Sequence, residues 1–269
     1  MAYFSIENLI IDDINFTFDI DMHEAIVCFF NKNIAKKLFL VLAGINKNEG
    51  NVKVLNENPF DNDNYFKTRV VMDFSDKYLS TLRKDEIRSA FLNKFNKDID
   101  IDRFIKNVNE FSLRKEAIFD VKYTFTDLGN TLLNLSLFDA LNSKVGFLLD
   151  ISHGANTKEL KETIETKLLK KRYDALLCHA STIDAIYNFD SFLFLFGKEI
   201  VKIGAKEDVL LFNRASNLRH VIYSDNKYSI CLNNYSKDKL HELSREKQEY
   251  KKMNLVEALK IIGESNEKK

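Results

Sequence analysis

The chain has 269 residues, 45% of them apolar, with forty basic and forty acidic side chains and a single proline. That length and apolar content can bury one large core, or a core with a satellite, without disulfide staples. The cancelled charge excludes a whole-molecule field that would draw the chain to nucleic acid or to an anionic membrane, leaving only local patches for such contacts.

In chain order, "YFSIENLI", "INFTFDI" and "EAIVCFF" are short and rich in β-branched and aromatic residues, and they read as three strands. From Ala35 to Ala43 the apolar positions Leu38 and Leu42 recur at helical spacing, and Gly44 stands where a C-terminal cap belongs. "NVKVLNENPF" and "TRVVMDF" predict two further strands. Leu82 to Leu141 carries amphipathic helical patterns. Then "VGFLLD" reads as a buried strand, Thr157 to Lys170 as a charged helix and "YDALLCH" as a second buried strand. "SFLFLFGKEIVKIG" reads as a hairpin turning at Gly197. After Arg219 come a hairpin pattern, "HVIYSDNKYSICL", and a last helix from Asn254 to Ile262. Strands alternating with helices of this length predict a parallel sheet with right-handed crossovers, hence an α/β fold. The expected units are a β subdomain over 1–74, a helical subdomain over 75–141, a core over 142–212 and an extension over 213–269.

Cys28, Cys178 and Cys231 are odd in number and widely spaced, which predicts reduced thiols in a cytosolic setting and neither a disulfide nor a zinc framework. The longest apolar stretches, Leu38 to Ala43 and Phe192 to Phe196, fall far short of the roughly 20 residues of a spanning helix. The charged runs "RKDEIR" and "SREKQEYKK" read as solvated helix faces.

In an open parallel sheet, ligands sit beyond the carboxyl ends of the strands. Those ends are Phe30 to Asn33, Asp73, Asp150 to Gly154 and Cys178 to Ser181. The phrases around them, "LAGINKNEGNVKVLNENPF", "VGFLLD" and "FLFLFGKEIVKIG", with the closing "MNLVEALKIIG", occur in the order found in the nucleotide-binding subunit of ATP-binding cassette (ABC) transporters. The chain resembles that family over nearly its whole length, and the closing phrase resembles subunits of drug and peptide exporters. The resemblance implies a P-loop NTPase (RecA-like) cassette with an antiparallel β subdomain and an α-helical subdomain. Its expected activity is ATP hydrolysis, with Mg as the metal partner of the nucleotide.

Laid without gaps back from Gly44, the loop that should read G-x-x-x-x-G-K-[ST] contains Phe29, Phe30, Lys32 and Ile34, with Ala35 at the lysine and Lys36 at the hydroxyl. A phosphate nest needs inward N–H groups without Cβ atoms in the way, a lysine and a hydroxyl. A slip of one or two residues brings Lys36 or Lys37 to the lysine's place, but no slip supplies the glycines. Where the family places a water-polarising glutamate after its Walker B aspartate, Ile151 follows Asp150, and isoleucine accepts no proton. The nearest text to the family's signature is "TDLGNTLLNL", with Asp127 near the usual serine and Gly129 the surviving glycine. No glutamine stands near "VVMDF", where Asp73 faces the same space, and the turn in "NLIIDDINF" is too short for an adenine-stacking aromatic.

By the resemblance, Asp150 is the heir of the Walker B aspartate, and His179, or Ala180 one position on, that of the switch histidine. Asp150 also reads as a cap on backbone donors, and His179 as a packed, hydrogen-bonded residue. Asp150, His153 and His179 lie past the ends of neighbouring strands and form a candidate site for a divalent metal.

The implied partners are a transmembrane ABC subunit and another cassette, as hetero- or homodimer, on the inner face of the cell membrane. The expectation is a subunit that docks and pairs without hydrolysing ATP. The alternatives are a low-activity ATPase using Lys36, Lys37, Asp150 and His179, and a soluble adaptor or immunity-type protein on the same scaffold.

Overall fold

The computed structural model describes residues 2–47, 49–77, 86, 89, 99–110, 127–141, 143–153, 165, 167–169, 173–182, 188–213, 218, 220–233 and 249–266. Most of the charged helix expected over 157–170, much of the helical pattern after Leu82 and most of the two charged runs lie outside them.

Three strands open the chain: β1 (Ala2–Ile11), β2 (Ile14–Asp21) and β3 (Glu24–Cys28). β1 and β2 form a hairpin whose turn residues, Asp12 and Asp13, have φ of 50° and 63°. Short Asp side chains tolerate that left-handed conformation, and two such residues give the turn that matches strand twist. Three residues after β3 the chain enters α1 (Lys32–Leu42), followed by β4 (Asn51–Val54), a short helix α2 (Asp63–Thr68) and β5 (Arg69–Asp73). Two described helices, α3 (Ile101–Glu110) and α4 (Asp127–Ala140), lead to β6 (Val145–Leu149), β7 (Ala175–His179), β8 (Ser191–Phe196) and β9 (Glu199–Gly204). The chain closes with β10 (Asp208–Asn213), β11 (Val221–Ser224), β12 (Tyr228–Leu232), β13 (Tyr250–Asn254) and α5 (Leu255–Asn266).

The first nine strands make one nine-stranded sheet in the order β4-β1-β2-β9-β8-β3-β7-β6-β5. Its half from β8 to β5 is parallel, and its β4-β1-β2 end is antiparallel. Every residue of β6 and β7 is buried, as expected of strands covered on both faces. Alternate side chains serve two cores. Val145, Phe147 and Leu149 face α1 with Leu38, Phe39 and Leu42, while Leu148 and Cys178 join the opposite layer with Leu133 and Phe138 of α4 and Leu255 of α5.

The hairpin predicted at Gly197 is present as β8 and β9, with Gly197 at φ 62°. β10 to β13 form a separate four-stranded antiparallel sheet in the order β11-β12-β10-β13. That unit begins at Asp208, a few residues before the boundary at 213 drawn from the sequence. The last helix starts where it was expected: Asn254 accepts from the Glu257 N–H at 2.9 Å, and the Glu257 carboxylate accepts from the Asn254 N–H at 3.4 Å. This reciprocal pair is a capping box.

Candidate functional site

The carboxyl ends of β3, β5, β6 and β7 meet at one edge of the parallel sheet, and α1 begins there. Its first turn differs from the sequence expectation. The helix starts at Lys32, not Ala35, because Asn31 caps it: the Asn31 Oδ1 accepts from the Asn33 N–H at 2.8 Å, and Ala35 N–H already donates to the Asn31 carbonyl at 3.0 Å. Residues 32–36, laid against the phosphate-loop pattern by the sequence, are therefore the opening turn of a helix. At its other end α1 closes with the bonds of a Schellman motif, Ile45 N–H to Leu40 O at 2.9 Å and Gly44 N–H to Val41 O at 2.8 Å. Gly44 has φ 66°, and a Cβ there would lie 2.3 Å from the Pro59 carbonyl oxygen.

Lys32 is the residue that sequence reasoning missed. Its Nζ donates to Asp73 Oδ1 at 2.9 Å and to Ser75 Oγ at 2.6 Å, and stands 3.5 Å from Asp150 Oδ2. A lysine in the first turn opposes the helix dipole, so composition gives no reason to expect it there. The two carboxylates at the ends of β5 and β6 offset that repulsion. The detectable signal was Asn31, a strong cap three residues after a strand, which fixes where the helix begins and hence which lysine faces the cleft.

Each carboxylate is held on more than one side. Asp73 Oδ1 accepts from the Ser75 N–H at 3.0 Å and from Ser75 Oγ at 2.7 Å. Burial alone would raise its pKa, but the hydrogen bonds from Lys32 and Ser75, with the Lys32 charge, hold it below the usual carboxylate range. Asp150 follows β6 with φ 56°, its Oδ1 accepts from Ser181 Oγ, and its side chain is only 10% exposed. His153 Nδ1 lies 3.5 Å from Asp150 Oδ2, and its Nε2 lies 3.5 Å from Asp127 Oδ1 at the start of α4. Asp127 also pairs with Lys77 at 3.1 Å, and that bond leads the causes that lower its pKa.

His179 ends β7, fully enclosed, with Nε2 3.0 Å from the Phe30 carbonyl. A carbonyl only accepts, so Nε2 carries the proton and Nδ1 presents its lone pair, for which there is no hydrogen-bond partner among the described residues. Burial is the largest cause of a lowered His179 pKa, partly opposed by the bond to Phe30 and by Asp150. Ala180 is buried beside it, its N–H donating to Cys28 O at 3.1 Å. Ile151 is 1% exposed and belongs to the core layer shared with α4, so its side chain points away from the cleft.

The two lysines proposed from sequence register lie elsewhere. Lys37 pairs with Asp12 of the β1–β2 turn at 2.6 Å, and Lys36 is exposed on an open depression of about 550 Å³ that Asp12, Asn31 and Asn33 also line. The candidate metal ligands Asp150 and His153 approach one another, while His179 is bonded to Phe30. Among the described residues no three His, Cys, Asp or Glu side chains gather as a metal group. All three cysteines are buried, and none is in a disulfide.

Behind the cleft, α4 ties two loops down with polar side chains. Asn130 Nδ2 donates to the carbonyls of Phe74 and Asp76 at 3.0 and 2.9 Å, and Asn134 Nδ2 reaches the same two at 3.3 and 3.2 Å. Thr131 Oγ donates to the carbonyl of His153.

In sequence the chain matches no family model and no curated protein. In fold it matches solved ATP-binding cassettes. A protein named as a cobalt transport ATP-binding protein, CbiO-2, superposes with a TM-score of 0.60 at 14% identity, covering 89% of this chain and 99% of its own. CbiO1 from Clostridium perfringens, part of the transporter complex CbiONQ, gives 0.57 at 10% identity over 76% of this chain and 88% of its own. The ADP form of MJ1267, a cassette of an ABC transporter, gives 0.59 at 15% identity over 76% and 91%. The architecture is thus that of the ABC cassette, a P-loop NTPase fold with an added antiparallel sheet. Among the described residues no helix is long and apolar enough to cross a membrane.

Proposed function

We propose that the chain is the cassette subunit of an ABC transporter complex that serves by docking on a membrane subunit and pairing with another cassette, at the inner face of the membrane, without hydrolysing ATP. The observation that carries this reading is the start of α1 at Lys32. A helical turn capped by Asn31 takes the place of a glycine-rich loop, so its side chains crowd the space where backbone N–H groups would have to cradle phosphates. Mg and ATP do not fit the residues present: a lysine ammonium stands between the two carboxylates, and Ile151 is turned into the core. Docking uses surface complementarity and survives loss of the chemistry. The exporter-like character is the finer part of the proposal and rests on the closing phrase "MNLVEALKIIG".

Calorimetry of the purified, folded chain with millimolar Mg-ATP tests it. The expected result is no saturable heat. A defined stoichiometry would overturn the reading in favour of a working, low-activity ATPase. For the partner, copurification with a multi-span membrane protein is expected, and a monodisperse monomer that associates with no such protein or cassette would favour the soluble adaptor.

A further inference from the structure

The cluster at Lys32 has the make-up of a cation site. Two carboxylates from adjacent parallel strands, Asp73 at the end of β5 and Asp150 after β6, converge on Lys32 with the Ser75 hydroxyl, and Ser181 buttresses the far oxygen of Asp150. Carboxylate and hydroxyl oxygens are the donors that magnesium, manganese and calcium prefer. A cation does sit among them, and it belongs to the chain. The Lys32 ammonium contacts one oxygen of each carboxylate and the Ser75 hydroxyl, and it holds that place at the unfavourable end of its own helix.

We propose that Lys32 is a tethered counter-cation that fills the oxygen site between Asp73 and Asp150 and excludes divalent metal from it, so that removing its ammonium converts the same oxygens into a site for a divalent cation. The chain thereby neutralises its cleft without any dissociable ion and pins the start of α1 to the ends of β5 and β6. The inference extends the reading above from nucleotide to metal. Its test uses no nucleotide, so the two fail separately: ATP binding would overturn the earlier reading without touching this one.

The probe is Mn²⁺ alone, titrated into the purified full-length chain, with free ion counted by electron paramagnetic resonance. Wild type, Lys32→Met and the double variant Lys32→Met with Asp150→Asn are compared, each checked for folding by circular dichroism. Lys32→Met is expected to take up one Mn²⁺ per chain at least tenfold more tightly than wild type, and the added Asp150→Asn to reverse that gain. Wild-type protein that binds Mn²⁺ as tightly as Lys32→Met would overturn the proposal, as would binding that survives Asp150→Asn. If two facing carboxylates unfold Lys32→Met, the neutral Lys32→Gln is the second variant. Should both unfold, refolding on addition of Mn²⁺ supports the proposal, and failure to refold overturns it.

Discussion

Placing a carboxylate after Asp150 by Ile151→Glu should damage the fold. Ile151 is 1% exposed and packs in the layer between the sheet and α4, with its N–H fixed to the His179 carbonyl at 3.0 Å. Removing the buried isoleucine side chain loses about 2 kcal/mol of apolar burial. An unpaired carboxylate in its place adds about 3 kcal/mol, and adjacent Asp150 contributes a like charge. The sum, about 5 kcal/mol, rivals the whole stability of many domains. The sign of its pH dependence follows from burial, which raises the folded pKa of the new carboxyl above its unfolded value of about 4.3. Stability therefore falls as pH rises above about 4.3, by about 1.4 kcal/mol per unit until the raised pKa is passed. Urea denaturation at pH 5 and pH 7.5, with Ile151→Gln as the uncharged control, measures it. With a slope of about 3 kcal/mol/M, the midpoint should drop by about 1.7 M near neutrality, and the Glu variant should diverge from the Gln variant as pH rises. Midpoints equal to wild type at both pH values would refute the reasoning, because the carboxylate would then be reaching water in the cleft.

Two further outcomes are expected. Gly44→Ala should cost about 2–4 kcal/mol, since it combines positive φ with a Cβ 2.3 Å from the Pro59 oxygen; Gly197→Ala, with positive φ and no atom of the described residues within 4 Å, should cost about 1 kcal/mol. Equal shifts in thermal midpoint would refute the role given to the Pro59 contact. Asp73, with its folded pKa depressed, contributes stability that is present above its unfolded value of about 3.9 and lost as pH falls through the folded value. Because the Asp73 side chain is 27% exposed, Asp73→Asn should remove only about 1 kcal/mol of that acid-side slope, read from urea midpoints between pH 2.5 and 5. An unchanged slope would mean that Lys32 does not hold the carboxylate.

The parallel half of the fold was legible because its strands are buried on both faces and read as continuous apolar runs, "VGFLL" and "ALLCH". Gly44 and Gly197 announced their turns by being the residues that adopt positive φ freely. β13 was hidden because Lys251 and Lys252, both exposed, make "YKKMN" look like a solvated helix. α2 was missed because six residues carry little periodicity. At the candidate site, Asp73, Asp150 and His153 lie at the strand ends from which a ligand site is expected, but the lysine was read from register alone. Counting back from Gly44 assumes a loop of fixed length, whereas Asn31 converts part of that loop into helix and delivers Lys32 in place of Lys36 or Lys37.

The side-chain ties from α4 have a consequence for how the molecule opens. Carbonyl groups of the segments after β5 and β6 are bonded to Asn130, Thr131 and Asn134 on one helix, so neither segment can swing out while α4 stays docked. Their order is set by the covalent chain and needs no bound guest. The cleft segments and α4 are therefore expected to open together, with the backbone amides of Ser75 and Ile151 exchanging with solvent when those of α4 do. A scaffold of that kind keeps the surface around the cleft fixed in shape.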